Sequence, residues 1–172
     1  MSSDMEFSLL NKSALRVKSK HASFVINPQD ATNANAALLL NDSLIPMSSD
    51  ETVFFQGAGE YEVGGIKITG TRHEDATVYS LSIEGVLVLI GSLPVLSSLQ
   101  QKMKEHNIVV ALCDEPSSAS FITSLTTNVV LFYGSASNEV AEGFEKEKLQ
   151  HMNKYSISAG KLPTEVETIV LQ

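Results

Sequence analysis

The sequence predicts an α/β chain in which two β-sheets pack together with helices on the outside. Three observations predict it. Most apolar runs are short, rich in β-branched residues and bounded by turn residues, the pattern of strands. From residue 5 to residue 90 the chain is nearly all such runs and loops, as in an antiparallel meander. From residue 86 onward, strand-like runs alternate with helical periodicity, as in a parallel or mixed sheet covered by helices.

Taken in order, the strands fall at residues 6–10, 14–18, 23–26, 37–40, 52–55, 66–69, 77–83, 86–90, 108–112, 129–133 and 168–171. Run 77–83 alternates, with Val78, Ser80 and Ser82 on one face and Tyr79, Leu81 and Ile83 on the other. Glu84 and Gly85 form a two-residue turn, since glycine takes positive φ without steric cost. Run 86–90 is apolar throughout and is expected to be buried on both faces. A first helix is expected over 95–106, with Leu96, Leu99 and Met103 on one stripe. Pro94 stands at its start, where a missing N–H costs nothing. A second is expected over 117–126, carrying Phe121, Ile122 and Leu125, with Ser117 or Ser118 as N-cap. A third is expected over 138–152, carrying Val140, Phe144, Leu149 and Met152, with Asn138 as cap and 142–148 as a solvated face of Glu/Lys pairs. Residues 32–36 and 41–51 read as loops. No repeat or linker interrupts the chain, so residues 1–172 are expected to form a single domain.

Composition narrows the function. Hydrophobic residues make up 43% of 172, enough for a packed core. The formal charge of -8 argues against nucleic acid, whose binding is driven by Lys and Arg neutralising phosphates. The longest strongly apolar run, 86–90, is far short of the ~20 residues that span a bilayer, and no membrane partner is expected. The first seven residues lack the basic start and apolar stretch of a signal peptide, which makes the cytoplasm the expected location. The single cysteine, Cys113, allows no internal disulfide. The histidines, His21, His73, His106 and His151, all lie more than five residues apart, which excludes H-x-H, H-E-x-x-H and zinc-finger pairs.

Four segments resemble a known family. Residues 13–28 run through a hairpin into a strand that ends in Asn27-Pro28. They are similar to the opening of small metallo-β-lactamase-fold proteins, where the strand ends in Asp-Pro. Gly57-Ala-Gly-Glu-Tyr-Glu-Val-Gly-Gly65, followed by Ile66-Lys-Ile-Thr-Gly70, resembles the G-P-G-E-Y-E-x-x-G-V-x-I-x-G segment of a bacterial subgroup. Residues 78–93 are similar to the hairpin that ends in H-x-G-D in active members, and residues 162–171 to the subgroup's final strand. The resemblance implies an αββα sandwich of two mixed sheets and a hydrolase scaffold.

Active members hold one or two metal ions at the edge of the two sheets, and a bound hydroxide attacks the substrate. The resemblance places their H-x-H-x-D-H run in the loop after 37–40. Here that loop reads Asn41-Asp42-Ser43-Leu44-Ile45-Pro46 and holds no histidine. The bridging aspartate of H-x-G-D corresponds to Ser92, and the late histidine is replaced by Gly134-Ser135-Ala136-Ser137. The cleft so emptied would comprise Asn41, Asp42, Ser43, His73, Ser92 and Ser135. Only His73 and Asp42 remain as metal candidates, and catalytic zinc takes about three protein ligands. The glycines of 57–65 lack a following Gly-Lys-Ser/Thr and serve tight turns rather than a phosphate loop. Ser92 is not in G-x-S-x-G. Cys113 reads as a small buried apolar residue, since Asp114 and Glu115 disfavour a thiolate. His106 and His151 are expected to face helix C-termini through the dipole, and His21 to sit in an exposed hairpin turn.

The leading expectation is therefore a non-catalytic scaffold without catalytic residues or cofactor. It would serve binding or assembly, pairing with itself as a homodimer or with an active relative. One alternative is a metal-dependent hydrolase with a reduced or displaced site built from His73, Asp42 and Asp75 or Asp30. Another is a small-molecule binding module in the vacated cleft, walled by Ser43, Ser92, Ser135 and Ser137.

Overall fold

The computed structural model describes residues 4–28, 33–42 and 52–172. Among these, the strands form two mixed sheets. The first has the order β13-β1-β2-β3-β4-β5, with β1 Asp4–Leu9, β2 Leu15–Lys18, β3 Ser23–Ile26, β4 Ala36–Leu39, β5 Val53–Gln56 and β13 Lys154–Ser158. The second has the order β12-β14-β11-β10-β9-β8-β7-β6, with β6 Gly59–Val63, β7 Ile66–His73, β8 Ala76–Ile83, β9 Val86–Ser92, β10 Ile108–Leu112, β11 Val129–Tyr133, β12 Leu149–Met152 and β14 Glu167–Leu171. Strands β6 to β9 are an antiparallel meander, and β9, β10, β11, β14 and β12 run parallel. The expected change from meander to β-α alternation thus occurs within one sheet.

Alternation fixes the layers. Tyr79, Leu81 and Ile83 face the six-stranded sheet and pack with Phe7, Val17, Phe24 and Leu38, whereas Val78 faces the helices. The outer face of the eight-stranded sheet, with Leu89, Val109, Ala111, Val130 and Phe132, is covered by α1 (Leu93–Leu99), a 3₁₀ turn over Ser120–Leu125, and α2 (Ser137–Phe144). Run 86–90 is buried as expected except for Leu87, which is 37% exposed. At the Glu84–Gly85 turn both residues have positive φ, 51° and 84°, the geometry whose twist matches that of the flanking strands.

Three helical expectations need correction. The first helix ends at Leu99 and tightens into a 3₁₀ turn over Gln100–Lys102, so His106 does not face its end. The second is the 3₁₀ turn alone, with Ala119 rather than Ser117 or Ser118 at its N-cap. The third stops at Phe144, and its tail becomes the edge strand β12. Gly143 weakens the last turn, and the Glu145 carboxylate accepts the N–H groups of Glu147 and Lys148, offering the backbone an alternative to helix. The pairs expected over 142–148 therefore do not share a helical face, and Ala136, not Asn138, is the N-cap. Among the described residues no helix is long and apolar enough to cross a membrane.

Candidate functional site

The parallel strands direct their C-terminal ends to one edge of the sandwich. Strand β4 of the other sheet ends at the same edge, because Thr77 N–H donates to Leu40 O at 2.8 Å and Asn41 bridges to Ala76. Asn41 and Asp42 are therefore held against the β7–β8 turn. Asp42 N–H donates to Asp75 O at 2.8 Å, and Gln56 Nε2 to Asn41 O at 3.0 Å. Asn27, with φ 52°, accepts the Leu40 N–H on its Oδ1 at 2.8 Å and so fixes the last residue before the loop.

The side chain that meets Asp42 is Arg72. On β7 the residues Ile66, Ile68, Gly70 and Arg72 share the face toward the other sheet, and His73 falls on the opposite face with Lys67 and Thr69. The Arg72 guanidinium grips both Asp42 carboxylate oxygens, one of them at 3.1 Å. The hydrogen bond to Asp42 and the charges of Asp42 and Asp75 hold that guanidinium above its ordinary pKa. The bidentate fork is the geometry in which arginine matches a carboxylate. Of the two metal candidates from sequence, Asp42 meets the guanidinium of Arg72, whereas His73 lies on the opposite face of β7.

Ser92 lies in register with Leu112, and Leu112 with Tyr133. Leu112 and Tyr133 face the core between the sheets, and Tyr133 is fully buried with its hydroxyl unpartnered. The row in which a bridging carboxylate would stand is therefore filled by apolar bulk on one side of Ser92. Tyr79 is also fully buried. Its hydroxyl lies 2.8 Å from Leu39 O and 3.0 Å from Phe55 O, shared between two strands of the facing sheet. Burial and the low polarity around them push both tyrosine pKa values up.

Ser135 and Ser137 do not join this cluster. They line a separate groove of about 540 Å³ between the β1–β2 turn and the start of α2. Ser43 and Asp30 lie outside the described residues. Among the described residues no three His, Cys, Asp or Glu side chains come together as a metal-holding group. Cys113 is buried, and burial, with Asp114 beside it, pushes its thiol up to about 12. His21 is exposed between β2 and β3, as expected. His151 lies on β12, not at a helix C-terminus, with Nε2 2.6 Å from Asn138 Oδ1. His106 is buried with Ser80: Nδ1–H donates to Lys104 O at 2.7 Å, which leaves Nε2 to accept the Ser80 hydroxyl at 2.8 Å.

No protein-family model matches the sequence, and no curated protein is similar to it. Solved structures decide the fold. A protein of the metallo-β-lactamase superfamily from Thermotoga maritima superposes with a TM-score of 0.76 at 13% identity, covering 97% of this chain and 98% of its own. The chain has the metallo-β-lactamase fold. A protein from Parabacteroides distasonis named as a metal-dependent hydrolase follows at a TM-score of 0.62 and 11% identity, covering 99% of this chain and 94% of its own. The metallo-β-lactamase fold protein YhfI of Bacillus subtilis follows at 0.61 and 9%, covering 97% and 96%.

Among the described residues, those at the strand-end edge do not fit the metal that this fold implies. A cation there would need free carboxylate and imidazole lone pairs. The Asp42 carboxylate is held by a permanent cation, His73 stands on the other face of β7, and Ser92 brings no charge.

Proposed function

We propose that this chain is a non-catalytic metallo-β-lactamase-fold protein in which a solvent-exposed ion pair, Arg72 with Asp42, stands in place of the metal centre. Its role is binding or assembly, in the reducing cytoplasm, as a homodimer or paired with an active relative. The observation that carries the reading is Arg72 on Asp42. Arginine stays protonated at any physiological pH, so it neutralises the carboxylate permanently where a metal would do so reversibly. A reduced site built on His73, Asp42 and Asp75 would have to break that pair and turn His73 through the sheet. The free buried thiol of Cys113 agrees with a reducing location.

A hydrolysis screen tests this reading. Wild-type protein supplied with zinc, manganese or iron(II) is assayed on esters, lactones, thioesters and phosphodiesters beside Asp42→Asn. The expected result is no turnover that distinguishes the two. Metal-dependent turnover in the wild type, lost in Asp42→Asn, would contradict it.

A further inference from the structure

Ser80 and His106 meet on the outer face of the eight-stranded sheet, the face opposite to Arg72. Strand alternation puts Ser80 on the side of Val78 and Ser82, away from Tyr79 and Leu81. His106 reaches it from the segment that leads into β10. Its Nδ1–H donates to Lys104 O at 2.7 Å, which fixes the tautomer and leaves the Nε2 lone pair to face the Ser80 hydroxyl at 2.8 Å. A hydroxyl, a base within hydrogen-bond reach and a third group that orients the base are the parts of an activated nucleophile. Here a backbone carbonyl does the orienting. His106 is 6% exposed, and desolvation holds its imidazole below the ordinary histidine value, so the neutral, proton-accepting form prevails at neutral pH. Ser80 itself is only partly buried. Its neighbour on β7 is Thr69, with Lys67 on the diagonal; both are exposed, so the hydroxyl is reached from that side. On β9 its neighbour is the buried Leu89, with Leu87, 37% exposed, on the diagonal.

We propose that Ser80 is a nucleophile, activated by His106, that takes a short aliphatic acyl group from a thioester. The bond from Ser80 Oγ to the acyl carbon forms and the carbon–sulfur bond breaks. The hydroxyl proton passes to His106 Nε2 and leaves with the thiolate as free thiol, which restores the neutral imidazole. Strand β8 is paired on both sides, so its backbone N–H groups are engaged in the ladders and form no oxyanion hole. That selects a donor with a stable leaving anion, and it gives a single acylation per chain rather than turnover. Lys67 brings a positive charge to the same face, and Leu87 an apolar surface for the acyl chain. The step uses no metal and goes beyond the binding reading above. Its failure leaves the lost metal centre untouched, since metal content decides that separately.

A purely structural hydrogen bond would satisfy the imidazole equally well, so the test reads reactivity. The full chain is incubated with S-phenyl thioacetate in the presence of a chelator, and the acetylated residue is located by peptide mass mapping. Acetyl is expected on Ser80, at a rate that rises with pH and levels off once His106 is neutral, with its inflection below about 6.5. Ethyl acetate, whose alkoxide leaves poorly, should not react. His106→Gln, checked for folding by circular dichroism, should slow acetylation of Ser80 on the order of a hundredfold or more, the usual scale of general-base assistance. Acetyl confined to lysines, the N-terminus or Cys113 overturns the proposal, and so does Ser80 reacting as fast in His106→Gln. If that variant does not fold, the wild-type profile decides, and a Ser80 rate without the acid-side inflection overturns it.

Discussion

In the proposed reading Arg72 is the deciding residue, and its place on the strand face is readable in the chain. Ile66, Ile68, Gly70 and Arg72 continue one face of a strand, so extending the 66–69 run by four residues would have set Arg72 beside the Asn41 loop and His73 away from it. What the sequence does not carry is which acidic group the guanidinium meets, because Asp42 is 30 residues away and is brought there by the β4–β8 contact. His106 does not face a helix end; it is buried. Desolvation holds its imidazole below the ordinary value, and the hydrogen bond to Lys104 O opposes this only in part. In the unfolded chain a histidine titrates near 6.5. Below about that pH the unfolded state takes up a proton that the folded state refuses, so the contribution of His106 is present above it and is lost as pH falls through the folded pKa. The wild-type denaturant midpoint should therefore fall with acidification from about pH 6.5, and the fall should be smaller in His106→Gln. Identical pH profiles for the two proteins would refute this account of the residue.

At the scale of elements, the strands with strict alternation or unbroken β-branched runs were legible. Strands over 23–26, 108–112 and 129–133 have the expected bounds, because their neighbours bury both faces and leave no competing pattern. Strands β6, β12 and β13 were not legible. In β12 only Leu149 and Met152 are partly buried, and with Phe144 they mimic a helical stripe. Pairing with β14 overrides that local pattern, as tertiary context commonly does. The turn after β11 carries a sharper constraint. Gly134 has φ 109°, and a Cβ there would lie 2.5 Å from Cys113 O, whose carbonyl also accepts the Ala136 N–H. Gly134→Ala combines backbone strain with a clash against main chain and should destabilise by about 3 kcal/mol or more. Urea titration followed by circular dichroism measures it; a change below about 1 kcal/mol, the range of an ordinary surface substitution, would show that the turn relaxes freely.

For the whole molecule, the sandwich is held by one core between the sheets and a second beneath the helices. Tyr79 adds a polar tie across the first, joining β8 to β4 and β5 just below the edge where the metal would sit. Tyr79→Phe removes the donor and leaves two carbonyls short of a partner, and should cost about 1–2 kcal/mol. Near-UV and far-UV circular dichroism should still show coincident melting, since the core residues span both sheets; separate transitions would mean that the sheets unfold independently. In the proposed function the fold persists with the Arg72–Asp42 pair at the edge where a metal would sit. Elemental analysis decides it most directly, on protein expressed in medium supplemented with zinc, iron and manganese and purified without chelator. The account predicts far less than one metal ion per chain. One or more ions per chain, lost in Asp42→Asn, would contradict it.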